Sequence, residues 1–390
     1  MASPAHPPTP LNVPAAPARL LFIDNLRWTM MILVVSMHAA DTYSPLGNWY
    51  YTDRGQLGDA GVLTFAAWQM YLQSFFMGLL FFIAGYWVPA SLRRKGTGRF
   101  LRERAFRLGL PVLFYMFILG PVVEYFLAHS WTSTRPTTFP LEWIKHIRNG
   151  QFLQENGPLW FCLALLIFSA IYTIFARPNP VERDEPAPRT ASLAGFALAM
   201  AVCTFALRAL LPPGYTLLNM HLGDFAQYIL MFAAGGVAAR GGWLLKLSFQ
   251  SGLRWLTIVL PLGFVAWLSI LLGGGAIHGN RSVFSSGWHW QNAAMSAWES
   301  FTCVAICCGL LVVFRERLNS QGRTAKFFSD NAFSVYVFHP VFVIAAARLM
   351  HGLDWNPLGK FAILTIVAVV LSFAASGAVF RRIPLLRDIL

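Results

Sequence analysis

Charge is what this sequence has least of. Asp, Glu, Lys and Arg together make up 12% of its 390 residues, about half of the roughly 25% carried by an ordinary soluble chain. That scarcity excludes a globular enzyme kept in solution by a charged surface. Cysteine is also scarce. The five residues Cys162, Cys203, Cys303, Cys307 and Cys308 all fall in apolar runs, and none stands in a Cys/His ligand spacing. Neither a disulfide framework nor a zinc site is supported, and no metal is expected. The cysteines read instead as small apolar packing residues. No cleavable leader is expected either: "MASPAHPPTPLNVPAAPAR" (1–19) is rich in Pro and Ala, with no short apolar core and small-residue cleavage site behind it. This stretch is expected to be a disordered tail.

What the chain does have is hydrophobicity, at 56% of residues. Runs such as "LLFFIAGYWV", "WFCLALLIFSAIYTIF" and "ILTIVAVVLSFAASGAVF" approach or reach the roughly 20 apolar residues that cross a bilayer. Ten spans are expected, near 20–40, 66–88, 106–128, 157–176, 191–211, 223–240, 255–273, 293–314, 328–350 and 359–380. The predicted fold class is therefore all-α: a polytopic integral membrane protein of about ten transmembrane helices. One membrane domain fills 20–380, and a short basic tail follows at 381–390. The linker "RPNPVERDEPAPR" (177–189), with its prolines and mixed charge, reads as a flexible loop between a four-helix and a six-helix half. No internal repeat is evident, which speaks against an inverted-repeat transporter plan.

A net charge of +13 taken alone would suit nucleic acid, but its placement argues otherwise. Placing both termini in the cytoplasm gathers most basic residues on the inner side, including the seven Lys and Arg of 93–107. That asymmetry follows the positive-inside rule. It makes the lipid bilayer the first partner, expects no nucleic acid, and predicts a multi-pass protein of the cell inner (plasma) membrane.

Ionisable residues inside spans are costly and mark functional cavities by default. In "IDNLRWTMMILVVSMH" (23–38) the spacings of Asp24, Arg27 and His38 are close to whole helical turns. They therefore share one face, with a rise of about 16 Å from Arg27 to His38. Asp24 can pair with Arg27 at i,i+3; the plainer alternative has Arg27 and His38 snorkelling to opposite surfaces. In "RERAFRLGLP" (102–111), Arg104 and Arg107 stand at i,i+3, a forked pair suited to phosphate oxygens. Positive-inside charge touching anionic lipid explains them equally well. Glu124, Asp224 with Gln227 and nearby His221, Glu299, Asn331, Ser334 and His339 add polar groups to further spans. Each alone could be an interhelical hydrogen-bond partner; together they imply a polar cavity within the bundle. Arg208, near the end of its span, is expected to snorkel.

At this point the motifs resemble a known family, the acyltransferase-3 membrane acyltransferases. "FIDNLRWTMMILVVSMHAA" is similar to the family's opening helix and carries its basic-x10-His pattern as Arg27 and His38. The R-x-x-R stands at Arg104 and Arg107, and "FFIAGYWVPASLRRKG", "GPLWFCLALLIF" and "FSVYVFHP" resemble other family segments. The loop "SGWHWQN" and the "WES" helix look most like the branch of glucan biosynthesis protein C. One departure is Trp28, where the family usually has Gly after the Arg.

The resemblance implies transfer of an acyl group, acetyl or succinyl, from cytosolic acyl-CoA to a hydroxyl of an extracytoplasmic glycan or related acceptor. On that reading Arg27, Arg104 and Arg107 take the CoA phosphates and Asp24 orients Arg27. His38 is the general base, with Glu299 or Glu124 holding its tautomer. Asn331, Ser334 or His339 would stabilise the oxyanion. Direct transfer and an acyl-His relay both remain open. A transporter of a glycolipid or anionic metabolite, or a non-catalytic subunit of an envelope complex, would also need polar groups in the bundle.

Overall fold

The computed structural model describes residues 19–128, 138–176, 185–276, 279, 281–384 and 389. The expected 1–19 tail, apart from Arg19, lies outside them, as do much of the 177–189 linker and of the 381–390 tail. The described residues are almost entirely helical. The helices are α1 (Leu21–Tyr43), α2 (Asp59–Lys95), α3 (Thr97–Ala128), α4 (Phe139–Arg148), α5 (Trp160–Phe175), α6 (Thr190–Leu210), α7 (Phe225–Gly241), α8 (Phe249–Gly273), α9 (Trp290–Arg317), α10 (Arg323–Leu349) and α11 (Pro357–Ala378). Among the described residues, nine helices are long and apolar enough to cross a membrane. α1 is not one of the nine, because Asp24, Asn25, Arg27, His38 and Asp41 dilute its apolar run. Its 23 residues nonetheless reach about 34 Å, more than the ~30 Å hydrocarbon core. The chain is a multi-pass membrane protein, and each of the ten expected spans is a helix.

α1 lies inside the bundle, packed against α2, α9, α10 and α11. Phe22, Leu26 and Met30 on its inner side are fully buried. Its first turn is tied to the α9–α10 loop, since Asn25 Nδ2 donates to the carbonyls of Leu318 (2.6 Å) and Ser320 (2.9 Å). α2 and α7 cross at backbone contact: a Cβ on Gly85 would lie 2.0 Å from the Phe232 carbonyl oxygen, and one on Gly235 2.1 Å from that of Phe82. Small residues at such a crossing let membrane helices approach closely, where dispersion rather than water exclusion holds them together. α8 is the opposite case. Only Gly252 and Trp267 of its 25 residues are buried, so its apolar surface is left to lipid.

Two features depart from the sequence expectation. Between the third and fourth expected spans, where no helix was expected, lies α4, which docks through buried His146, whose Nε2 is 3.0 Å from the Met116 carbonyl. α3 opens into wider π-type turns at Ala105–Gly109, Tyr115–Leu119 and Val123–Ala128. Pro111 and Pro121 lie between them. Proline lacks an N–H and crowds the carbonyl four residues back, so widened turns let the helix run on past it.

Candidate active site

α1 carries a stripe of side chains at alternating spacings of three and four: Asp24, Arg27, Met31, Val34, His38 and Asp41. That spacing keeps all six on one helical face. The stripe runs past two cavities. Arg27 and Met31 line a near cavity of about 300 Å³ at the basic end, together with Arg104 of α3 and apolar walls from α2, α5 and α10. Val34, Met37, His38 and Asp41 line a far cavity of about 520 Å³. Tyr336 of α10 lines both. Its hydroxyl donates to the Pro158 carbonyl, and Pro158 belongs to the far cavity wall. This hydrogen bond forms part of the partition between the two spaces.

His38 is held from three sides. Its Nδ1 lies 3.2 Å from Asp41 Oδ2. A carboxylate there accepts the Nδ1 proton, which leaves the lone pair on Nε2. Asp41 is itself fixed, because Gln69 Nε2 donates to Asp41 Oδ1 (2.7 Å) and Ser44 Oγ donates to Gln69 Oε1 (2.7 Å). Trp49 stacks on the imidazole with ring centroids 4.2 Å apart, and His339 stacks at 5.3 Å. The Trp49 contact depends on how the chain leaves α1. It doubles back so tightly that a Cβ on Gly47 would sit 2.3 Å from the Asp41 carbonyl oxygen. Only glycine fits that approach, and two residues later the indole reaches the ring.

The rest of the far cavity comes from loops and helix ends. Tyr50 Oη donates to Glu155 Oε2 (3.5 Å) and accepts from Tyr115 Oη (3.3 Å). Burial, reinforced by the charge of Glu124, pushes the Glu155 carboxyl up to about 7. Asn219 sits in a two-residue hairpin turn between Thr216–Leu217 and Met220–His221, with Leu218 and Asn219 at φ 52° and 59°. Positive φ at both central residues matches the right-handed twist of a hairpin. Leucine rarely adopts it, and the turn is clamped by Asn156 Nδ2 donating to the Leu218 carbonyl (2.7 Å). Asn219 is thereby directed into the cavity wall. Asp224 completes the opposite side. Arg208 reaches it at 2.6 Å and reaches Glu299 at 2.8 Å.

The structure therefore sorts the residues expected from sequence. Arg27 and Arg104 share the near cavity, and His38 and Asp224 share the far one. Asp41, rather than Glu299 or Glu124, stands at His38 Nδ1. Glu299 is committed to Arg208, which is buried in an ion triad instead of snorkelling. Glu124 acts at Glu155. Asp24 is only 4.0 Å from Arg27 and makes its short contact, 2.6 Å, with Arg19. Arg107 is exposed and does not line the near cavity, because the π-type turn starting at Ala105 shifts it relative to Arg104. Asn331 is spent on helix contacts, donating to the Phe327 carbonyl of its own helix and accepting from Ser376 of α11. Neither Asn331 nor Ser334 lines either cavity, and His339 reaches the site by its stack on His38. Missed altogether were Asp41, Trp49, Tyr50, Glu155 and Tyr336. Asp41 alone had a readable signal, three residues beyond His38 on the same stripe.

Comparison with known proteins places the chain in a family. An acyltransferase domain model matches residues 20–377. The chain is also similar to the glucans biosynthesis protein C of Salmonella schwarzengrund strain CVM19633, 23% identical over 398 residues, covering 96% of this chain and 95% of that protein. It is equally similar to the protein of that name in Salmonella heidelberg strain SL476, 23% identical over 406 residues at the same coverage. With the family match running from the start of α1 almost to the end of α11, the chain belongs to the acyltransferase-3 family and is a membrane acyltransferase.

Proposed function

We propose that the protein transfers an acyl group from cytosolic acyl-CoA to a hydroxyl of a glycan on the opposite side of the cell inner membrane, with His38 as general base. The carrying observation is the single α1 stripe that joins two cavities, with Arg27 at one and the His38–Asp41 pair at the other. Their separation along the helix, about 16 Å, is comparable to the pantetheine arm that links nucleotide and thioester in CoA. The near cavity suits that arm. Arg27 and Arg104 offer guanidinium groups to phosphates at its mouth, and Leu80, Ile83, Phe161 and Leu165 supply apolar walls. The basic end is the cytoplasmic end by the positive-inside rule, where acyl-CoA is found. The glycan acceptor is suggested by the name of the relatives, which concerns glucan biosynthesis.

In the proposed reaction His38 Nε2 takes the proton of the acceptor hydroxyl as its oxygen bonds to the thioester carbonyl carbon. The carbon–sulfur bond then breaks, and the imidazolium returns the proton to the departing CoA thiolate. Asp41 keeps the proton on Nδ1 throughout and stabilises the imidazolium. A positioned base of this kind is worth roughly 10²–10⁴-fold.

The test is thermal stabilisation of the detergent-solubilised protein by acetyl-CoA, succinyl-CoA and free CoA, paired with transfer of the labelled acyl group to a glucan. A ligand at about 100 times its Kd adds about 2.7 kcal/mol. The expected result is a stabilising shift that disappears in the Arg27→Ala/Arg104→Ala protein, and transfer that disappears in His38→Ala. A folded protein indifferent to every CoA species would overturn the reading.

A further inference from the structure

The far cavity has an electrical character that the reaction itself does not require. Asp41, Glu155 and Asp224 line it, while among the described residues no lysine or arginine does; its only other ionisable rings of basic type are His38 and His221. Arg208 lies behind Asp224, and its one charge is divided between that carboxylate and Glu299. The Asp224 edge is also the best-built polar corner of the cavity. Arg208 fixes Oδ1 at 2.6 Å, leaving Oδ2 with only a long 3.4 Å contact from Gln73 Nε2. The same Gln73 amide donates to Tyr228 Oη at 3.2 Å, which frees the Tyr228 proton to be given elsewhere. Beside this corner Trp160 and Tyr228 stack at 5.6 Å and an interplanar angle of 29°, presenting aromatic surface in the same cavity.

We propose that the corner formed by Asp224, Gln73, Tyr228 and Trp160 is the acceptor subsite, and that it takes an uncharged glycosyl unit in preference to an anionic one. The inference rests on the acyl-transfer reading for the identity of the cavity, and adds to it the residues and the charge class of the acceptor. A carboxylate with a free oxygen accepts sugar hydroxyls and donates nothing. The phenol supplies the complementary donor, and an aromatic face covers the apolar C–H side of a pyranose ring. A uronate, phosphate or sulfate on the acceptor would instead meet the Asp41 and Asp224 carboxylates, joined by Glu155 where it ionises, in a partly desolvated space that, among the described residues, no lysine or arginine lines, where like charges repel. Arg208 is a positioning residue: it does not line the cavity, but it holds Asp224 Oδ1 and so aims the carboxylate.

The experiment uses the full-length protein in detergent with a neutral gluco-oligosaccharide and an oligogalacturonide of equal length. Binding is read first without any acyl donor, as thermal stabilisation, and then as the acceptor KM in acyl transfer. The expected result is a preference for the neutral oligosaccharide on the order of 100-fold. Asp224→Asn and Gln73→Ala should each raise the acceptor KM about tenfold with the acyl-CoA KM unchanged, and Gln73→Ala, which leaves the Arg208–Asp224–Glu299 triad intact, should also keep the Tm of the free protein. Equal or better use of the oligogalacturonide overturns the inference while leaving acyl transfer intact, as does an unaltered acceptor KM in both variants. Because saccharide binding is measured without donor, failure of the acyl-CoA reading shows separately. In that case a neutral-sugar shift lost in Asp224→Asn still supports the subsite, and no shift by either saccharide overturns it.

Discussion

The two cavities along α1 are built on different terms. At the near one the cations are loosely held: Arg27 keeps more than half of its side chain exposed (55%), and its contact with Asp24 is at the 4.0 Å limit of an ion pair. Arg104 rests over the Phe100 ring at 5.2 Å. At the far one the groups around His38 and Asp224 are tied to second partners. His38, Asp41, Gln69 and Ser44 form one chain of hydrogen bonds, and Arg208, Asp224 and Glu299 form an ion triad. On the proposed reading, loosely paired guanidinium groups at the cavity mouth are free to take phosphate and release it. Groups locked by second partners lose little entropy on binding and keep their geometry through a reaction. One helix thus joins a loosely held, basic end to a pre-organised, acidic one, the proposed donor site and the proposed site of chemistry.

That contrast is broken most severely at the far end. His38→Ala should lower kcat by about 10³-fold, while acyl-CoA still stabilises the protein thermally, since the near cavity is untouched. Loss of CoA binding in that variant would mean the two ends are not separable. Asp41→Asn is expected to follow, at about 10²-fold in kcat with little change in acyl-CoA KM. An amide in place of the carboxylate no longer favours the Nδ1–H tautomer or the imidazolium. A KM effect without a kcat effect would instead make Asp41 part of the binding surface.

At the near end the expected signature is the reverse. Arg27→Ala and Arg104→Ala should each raise the acyl-CoA KM about tenfold, the size of one charge-assisted hydrogen bond, with kcat within about twofold. Arg107→Ala, whose side chain stays outside the cavity, should change KM by less than about threefold. Steady-state kinetics on the three variants sharpens the comparison, and an Arg107 effect as large as that of Arg104 would relocate the phosphate site to the outer face of α3.

What could be read from sequence follows the reach of local periodicity. The ten spans, the shared face of Arg27 and His38, and the grouping of Arg104 with the basic end all come from helix geometry and apolar run length. Those act within one element. Asp41 escaped because the first span was closed at residue 40, whereas the helix runs on to Tyr43, one more turn of the same stripe. Trp49, Tyr50, Glu155 and Asn219 reach the site on segments outside the long helices, whose paths depend on tertiary contacts such as the close return at Gly47. Arg208 was misjudged for a related reason. An arginine near a helix end snorkels unless acids from other helices meet it, and Asp224 and Glu299 are distant in sequence. Glu299 and Glu124 were credible partners for His38 by type and depth. A distance in the assembled bundle was needed to see that neither is the carboxylate at its Nδ1.

The smallest expected effect concerns stability and the price of keeping the far cavity acidic. Burial and the neighbouring charge of Glu124 raise the Glu155 carboxyl from 4.5 to about 7, against a lowering by its hydrogen bond from Tyr50. An acid whose pKa is higher in the folded state binds its proton more tightly there, so its contribution is most favourable below about 4.5. As pH rises from 4.5 to 7 the unfolded chain ionises before the folded one, and stability falls. Above 7 both are ionised and the penalty stays constant. Glu155→Gln has no such ionisation, so it should match the wild type at pH 4.5 and gain on it steadily to pH 7. The advantage should then level off at about 1 kcal/mol, after allowance for the solvent that reaches the group, or about 2 °C in Tm. Melting curves of the two proteins across this range measure it directly. An advantage that is present already at pH 4.5 and constant throughout would show that the substitution acts by packing, and that the far cavity carries its negative charge without strain.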